Sequence, residues 1–218
     1  MAIEAVVFDM DGVVVDSEDY WREQIGDILA DAVPGAEIDP ARVVGINVYD
    51  QYDMLEAEGY DLAVDREGYF ALYDRYAEEL YTEHAALTPG FHDLLDDVAA
   101  RGLPIGLVTS SFPSWVSSVF ERFGLEERFD VVVTAGGEDV PGKPEPDLYE
   151  LAAERLGVAP EAMLVVEDSE HGVAAATSAG AHVVGYSHGA SADMDHSAAD
   201  AVATSPADLR ERVRAGLD

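Results

Sequence analysis

The chain of 218 residues contains no cysteine, so it forms no disulfide and no zinc site built on thiolates. Long apolar runs are also missing, since no window reaches the 18 consecutive apolar residues typical of a membrane span. The first residues lack the basic segment and apolar stretch of a secretory signal. These absences predict a soluble protein of the cytoplasm. Its apolar content of 48% is enough for one core, with or without a smaller inserted module.

Positive charge is scarce, because 12 lysines and arginines face 45 aspartates and glutamates, giving a net charge of −33. The acidic residues are spread evenly along the chain and do not form a tail. A surface this negative repels nucleic-acid phosphates and anionic membranes, so we expect neither as a partner. The even acidity suggests a halophilic protein, because molar salt screens charges beyond roughly 3 Å. For the assembly we expect a monomer or a weak dimer.

Lysine occurs once, as Lys143, and the other 11 basic residues are arginines. A single lysine is ordinarily a solvated surface residue. In a chain that otherwise dispenses with lysine, however, one lysine held between a glycine and a proline indicates a need for its compact ammonium charge. Lys143 is therefore a candidate functional residue.

Five β-rich runs alternate with helical patterns, which predicts an α/β protein with a parallel sheet and crossover helices. The predicted strands are 3–8, 104–108, 130–134, 162–166 and 181–185, and the predicted helices between the later ones are 91–101, 114–123, 146–156 and 169–179. A gap of 95 residues separates the first two strands, far more than a crossover needs. We therefore predict a core of residues 1–16 and 86–218, with a helical cap domain inserted at 17–85.

An aromatic stripe runs along the predicted helical segment 65–83, where apolar residues follow the spacing of one buried helix face. The interpretation that we favour is packing within the helical module. The alternative is an aromatic wall over a ligand.

Polar side chains follow three of the predicted strands. They are Asp9 and Asp11 after the first strand, with Gly12 next in the chain, then Thr109, Ser110 and Ser111 after the second strand, and Glu167, Asp168 and Ser169 after the fourth. The carboxyl ends of parallel strands meet at one edge of the sheet, so these residues should lie on one rim. Clustered carboxylates with open positions suit Mg²⁺. Taken singly, the same residues could be helix caps or turns.

Four segments, FDMDGVVVDSE, VTSS, GKPEPDLY and VVEDSEHGVAAATSAG, resemble the four motifs of the haloacid dehalogenase superfamily in order and spacing. The resemblance spans residues 3 to about 185. It is greatest to the branch of phosphoglycolate phosphatase and β-phosphoglucomutase, which has a helical cap. The resemblance implies a Rossmann-like parallel sheet core of strand order 5-4-1-2-3 with an inserted α-helical cap.

The resemblance also implies the role of each motif residue. Asp9 would be the nucleophile that forms an aspartyl phosphate, and Asp11 the acid and base that moves the proton. Thr109 and Lys143 would hold the phosphoryl group and neutralise its charge. The Mg²⁺ cofactor would be held by Asp9, Asp11 through its backbone carbonyl, Asp168 and Glu167.

Substrate contacts are expected from both sides of the site. Gly12, Ser110 and Ser111 would contribute to the phosphate cradle. In this family a cap loop contacts the leaving group. Here the loop spans 43–49, and the candidate binding residues are Gly45 and Asn47 within it and Arg42 directly before it. A plain turn between helices is the alternative interpretation of this loop.

The predicted function is Mg²⁺-dependent hydrolysis of a small phosphorylated metabolite. Dehalogenases lack the aspartate at position 11, and phosphonatases need a cap lysine that this chain lacks. Sugar-phosphate mutases carry a histidine where Trp21 aligns, but the cap arginines keep that alternative open. A receiver-type phospho-aspartate switch lacks such an insertion, and a non-catalytic acidic cation-binding protein leaves Thr109 and Lys143 unexplained.

Overall fold

A computed structural model describes residues 2–43 and 46–217. The strands in chain order are β1 (Ala5–Phe8), β2 (Val15–Asp16), β3 (Ala86–Leu87), β4 (Ile105–Thr109), β5 (Val131–Thr134), β6 (Met163–Glu167), β7 (His182–Tyr186) and β8 (Ala201–Ala203). The α-helices are α1 (Glu18–Ala32), α2 (Val48–Ala57), α3 (Arg66–Glu79), α4 (Phe91–Ala99), α5 (Pro113–Phe123), α6 (Asp147–Leu156), α7 (Glu170–Ala179) and α8 (Pro206–Gly216).

The main sheet has six strands in the order β5-β4-β1-β6-β7-β8, and every neighbouring pair is parallel. The predicted α/β fold is confirmed, and the five strands predicted from sequence lie in the expected 5-4-1-2-3 order. The sixth strand, β8, was not predicted, because its three residues are too few to show a pattern of alternation. It extends the sheet at the edge beyond β7.

The central strand explains why the sheet is buried on both faces. All four residues of β1 are buried. Val6 and Phe8 belong to one apolar cluster, whereas Ala5 and Val7 belong to the other. Successive side chains of a strand point to opposite faces, so a continuous apolar run suits a parallel sheet covered by helices on both sides.

The segment between the first two sheet strands is helical, as predicted. It contains α1, α2 and α3, followed by a π-helical turn at Leu80–His84. The strands that flank it, β2 and β3, pair with each other in antiparallel register, so the chain leaves and re-enters the core at one place. The division into two domains at 16/17 and 85/86 stays a prediction.

The aromatic stripe of α3 serves packing for the most part. Tyr69 and Ala77 are buried in the larger apolar cluster, which supports the favoured interpretation. Tyr73, however, also lines a cleft between the helical segment and the sheet. Within the described residues, no helix has the length and apolarity needed to cross a lipid bilayer.

Candidate active site

The chemistry-bearing residues meet at the carboxyl ends of β1, β4 and β6. Asp9 follows β1, Thr109 ends β4, and Glu167 ends β6, with Asp168 directly after it. All four side chains are buried, as is Lys143, which comes from the long connection between β5 and α6. Parallel pairing of β1 with both β4 and β6 brings these strand ends side by side.

Lys143 joins two of the carboxylates. Its Nζ donates to Asp9 Oδ1 at 2.6 Å, to Glu167 Oε1, and to the carbonyl oxygen of Val108 at 3.2 Å. Burial opposes the charge of Lys143, but the carboxylates of Asp9 and Glu167 outweigh it and raise the lysine pKa above its usual value. The lysine is therefore held as a cation inside the protein.

Tyr149 on α6 contacts both Glu167 and Lys143. Its hydroxyl donates to Glu167 Oε1 at 2.5 Å, and the Lys143 Nζ lies 5.4 Å from the centre of its ring. Burial, together with the charge of Glu167, raises the pKa of Tyr149 well above its usual value, so the hydroxyl stays protonated and donates.

Three buried carboxylates form a group that could hold a metal ion. Asp9, Glu167 and Asp168 each offer an oxygen, and these oxygens lie within 4.8 Å of one another. Asp168 Oδ2 is buried and has no hydrogen-bond partner, which is costly for a carboxylate oxygen. Burial is the main cause that raises the pKa of Asp9 and of Asp168. An orphaned buried oxygen among hard oxygen donors fits a divalent cation such as Mg²⁺.

Two glycines make room for these carboxylates. Gly12 has a φ of +74°, and a Cβ there would lie 1.9 Å from Asp168 Oδ2. A Cβ at Gly172 on α7 would lie 2.0 Å from the carboxyl carbon of Glu167. Any side chain at either position would displace a carboxylate from the group.

Asp11 accepts hydrogen bonds from three hydroxyl groups. Ser17 and Tyr81 donate to its Oδ1, each at 2.7 Å, and Ser111 donates to its Oδ2 at 2.6 Å. A hydroxyl can rotate to donate or accept, so this set can accommodate Asp11 in either protonation state. That versatility suits a group that must give up a proton and take one back.

The loop after β4 is ordered by its own residues and by the helical segment. The Oγ1 of Thr109 accepts from the backbone N–H of Ser111 at 3.0 Å. Asn47 donates from Nδ2 to the carbonyl oxygen of Ser110 at 3.0 Å, while its Oδ1 caps α2 by accepting from the Tyr49 N–H at 2.9 Å. Asn47 therefore ties the helical segment to the rim.

A cleft of about 90 Å³ lies over the rim, between the sheet and the helical segment. Eight residues predicted from the sequence line it, namely Asp9, Asp11, Thr109, Ser110, Ser111, Lys143, Asp168 and Ser169. Glu18 on α1 also lines the cleft, close enough to Asp168 that its charge raises the pKa of that carboxyl. Burial, reinforced by the negative charge of Asp11, raises the pKa of Glu18 to about 8.

The structure brings most predicted site residues together, but not those of the cap loop. Arg42 is exposed and forms an ion pair with Glu58 at 2.7 Å, so it does not line the cleft. Asn47 lines a separate surface cavity and serves as a helix cap and a tie to the rim. Gly45 lies outside the described residues. Gly12 lies against the carboxylate of Asp168 at the rim.

Sequence reasoning missed Ser17, Glu18, Tyr81 and Tyr149. Ser17 and Glu18 belong to the first motif and Tyr149 to the third, so the motif boundaries could have indicated them. Tyr81 reaches Asp11 across 70 positions of chain, and it lay within the aromatic stripe that was assigned to packing.

Fold and site together define the class of protein: an α/β enzyme whose parallel sheet carries a buried acidic site at its carboxyl-end rim, beneath an inserted helical segment. The chain belongs to the haloacid dehalogenase-like hydrolases, since the model of that family matches residues 3–180.

Individual relatives are similar in different ways. Phosphoglycolate phosphatase of Escherichia coli is 42% identical over 119 residues, which are 54% of this chain and 46% of that protein. A phosphorylated carbohydrates phosphatase of Thermotoga maritima is 32% identical over 179 residues, 82% of each chain. The crystal structure of β-phosphoglucomutase from Clostridium difficile superimposes with a TM-score of 0.79 at 25% identity, covering 99% of this chain and 97% of that one.

Proposed function

We propose that the protein is a metal-dependent phosphomonoesterase that hydrolyses a small phosphorylated metabolite through an aspartyl-phosphate intermediate on Asp9. The observation that carries the proposal is the buried group at the rim. Lys143 contacts both Asp9 and Glu167, and the unpartnered oxygen of Asp168 lies in the same group. Such a site presents a nucleophilic carboxylate next to fixed positive charge and a place for a cation.

The first chemical step is attack of an Asp9 carboxylate oxygen on phosphorus. A bond forms between Asp9 and phosphorus while the bond from phosphorus to the leaving oxygen breaks. Asp11 gives its proton to that oxygen, so an alcohol leaves. In the second step water attacks phosphorus, the bond to Asp9 breaks, and Asp11 takes the proton of the water.

The surrounding residues would assist both steps without changing covalently. The Lys143 ammonium neutralises charge on Asp9 and on the phosphoryl oxygens. Asp9, Asp168 and Glu167, together with the backbone carbonyl of Asp11, would hold Mg²⁺. When bound, the ion supplies positive charge that stabilises the phosphoryl group as it transfers. Residues 17–85 would act as the cap that covers the reaction.

Hydrolysis of a generic aryl phosphate in high salt, with and without Mg²⁺, tests the proposal. We expect many turnovers in wild type with Mg²⁺, and a fall in kcat of about 10⁴-fold or more in Asp9→Asn, since the nucleophile is lost. Asp61→Asn is the matched control, because Asp61 is an exposed aspartate outside the cleft. Undiminished activity in Asp9→Asn would falsify the nucleophile assignment. Stoichiometric phosphorylation without turnover would indicate a switch.

A further inference from the structure

The cleft over the rim has two unlike sides. The rim side is polar and anionic, as described above. The opposite side is mostly apolar and aromatic, lined by Trp21, Ile25, Val43, Ile46, Val48 and Trp115. A phosphoryl group bound at the rim would direct its leaving group toward this second side. The chemistry of that side therefore selects the leaving group.

The polar atoms of the aromatic side chains already form hydrogen bonds within the protein. Trp21 Nε1 donates to the Tyr81 hydroxyl at 3.3 Å, and Trp115 Nε1 donates to Asp74 Oδ1 at 2.8 Å. The Tyr73 hydroxyl, which also borders the cleft, donates to Gln51 Oε1 at 2.7 Å. These residues thus offer ring surface to a ligand, and their N–H and O–H groups stay engaged with the protein.

The amide of Gln51 is likewise fully engaged. Its Nε2 donates to the carbonyl oxygens of Val43 at 3.2 Å and Ile46 at 2.8 Å. Its Oε1 accepts from the hydroxyls of Tyr69 at 3.1 Å and Tyr73 at 2.7 Å. Four hydrogen bonds satisfy both ends of the amide, so Gln51 holds the cap loop in position and does not bind substrate.

Among the described residues that line the cleft, Lys143 is the only one that carries positive charge, and it belongs to the rim. Val44 and Gly45, the two loop residues not described, carry no charge. The cap arginines Arg42 and Arg66 pair with the exposed carboxylates of Glu58 and Asp53. A second anionic group on the substrate would meet no counter-charge in the cleft, where an unpaired charge is costly.

One carboxyl group remains to receive a polar part of the leaving group. Glu18 lines the cleft and can hydrogen-bond a hydroxyl in either protonation state, as acceptor or as donor. It supplies no positive charge in either state. Arg22, one turn further along α1, is exposed and does not line the cleft, and its charge acts on Glu18, whose pKa it lowers.

We infer that the cleft accepts the phosphomonoester of a small, uncharged alcohol and rejects leaving groups that carry a carboxylate or a second phosphate. This inference rests on the proposed phosphatase function. The carbon skeleton of the alcohol packs against Trp21, Ile46 and Trp115, and a hydroxyl, where present, faces Glu18. Phosphoglycolate and sugar bisphosphates are poor substrates on this account.

Three esters of similar size test the inference: phosphoglycolate, 2-hydroxyethyl phosphate and n-propyl phosphate. Their kcat/KM values are measured with saturating Mg²⁺ in molar KCl, where the distant surface charges are screened. We expect both neutral esters to exceed phosphoglycolate by about 100-fold, because a charged group left unpaired in the cleft is costly. Equal or greater kcat/KM for phosphoglycolate overturns the inference, and leaves the phosphatase function standing. Failure to hydrolyse these esters and an aryl phosphate overturns both.

A second experiment tests the inference by placing a positive charge on the apolar side of the cleft. Ile46→Arg should raise kcat/KM for phosphoglycolate at least 10-fold relative to propyl phosphate, because it supplies the missing counter-charge. Ile46→Gln adds polarity without charge, and Glu126→Gln changes the net charge equally at an exposed site distant in sequence. Thermal unfolding and circular dichroism verify that each variant is folded. If either control shifts the ratio as much as Ile46→Arg, local charge does not set the specificity and the inference fails.

Discussion

The carboxylates at the rim and a carboxylate on the outer surface have opposite electrostatic surroundings. At the rim, Asp9, Glu167 and Asp168 are buried around one cation, Lys143, and burial raises the pKa of Asp9 and Asp168. On the outer surface, Asp97 on α4 accepts hydrogen bonds from two arginines of α8.

The difference in surroundings reverses the direction of the pKa shift. Hydrogen bonds from Arg210 and Arg214 lower the pKa of Asp97 below its usual range. Asp97 has two cationic partners, Arg210 and Arg214. The three rim carboxylates share one cation, Lys143. Three buried carboxylates that share one lysine leave negative charge uncompensated at the rim. A phosphoryl-transfer site can compensate that charge with a metal ion.

The largest expected effect comes from removing the rim cation. Lys143→Met leaves buried carboxylates without their partner, and we expect the free energy of unfolding without metal to fall by about 3–5 kcal/mol. Arg210→Met removes a cation from a solvent-screened surface group and should cost far less. Urea unfolding at pH 7 in the presence of a chelator measures both. Equal losses would mean that the two environments do not differ as described.

The second effect is stabilisation by Mg²⁺. Binding to the native state at a concentration 100 times the Kd should raise the free energy of unfolding by about 2.7 kcal/mol. Asp168→Asn should lose most of this gain, whereas the exposed control Asp61→Asn should keep it. Thermal unfolding across a Mg²⁺ titration measures the shift. Full Mg²⁺ stabilisation in Asp168→Asn would exclude this carboxylate as a ligand.

Asp168→Asn also measures what it costs to bury a charged carboxylate at the rim when no metal is present. A raised pKa means that the charged carboxylate destabilises the fold, by about 1.4 kcal/mol for each pKa unit. Asp168→Asn should therefore be more stable than wild type at neutral pH without metal. This advantage should begin to shrink as the pH falls below the folded-state pKa, and it should vanish below the unfolded pKa of about 4, where both states are protonated. An Asp168→Asn variant less stable than wild type under these conditions would contradict the account.

The smallest effect is expected at Asp97. Its pKa is lowered on folding, so its contribution is complete above the unfolded pKa near 4 and is lost as the pH falls further. Asp97→Asn should lower the free energy of unfolding by about 1 kcal/mol at pH 7, since the pairs lie near the surface. The difference from wild type should shrink below about pH 4. A difference independent of pH would assign the effect to packing.

The rim residues were predictable from the sequence because they follow closely on the apolar runs that form the strands. Apolar runs identify β1 and β6, and the polar residues that follow a parallel strand must lie at its carboxyl end. The sequence alone therefore predicts that Asp9, Thr109 and Asp168 lie at one edge of the sheet.

The other side of the cleft was not predictable, because its contacts depend on distant partners. Gln51 contacts tyrosines 18 and 22 positions away, and Arg42 pairs with Glu58, which is 16 positions away. A charged loop residue can turn to the cleft or to solvent, and local sequence does not distinguish the two. The predicted substrate contact of Arg42 illustrates this limit, since the side chain lies in an exposed ion pair.

Acid quenching of the enzyme during turnover of an aryl phosphate tests most directly whether Asp9 is the nucleophile. The leaving phenol needs no proton from Asp11, so Asp11→Asn should form the phosphoenzyme and hydrolyse it slowly. Mass spectrometry of the digested protein should then find phosphate on the peptide containing Asp9 and none in Asp9→Asn. Phosphate on another residue, or Mg²⁺-dependent turnover in wild type with no phosphoenzyme in Asp11→Asn, would contradict the account.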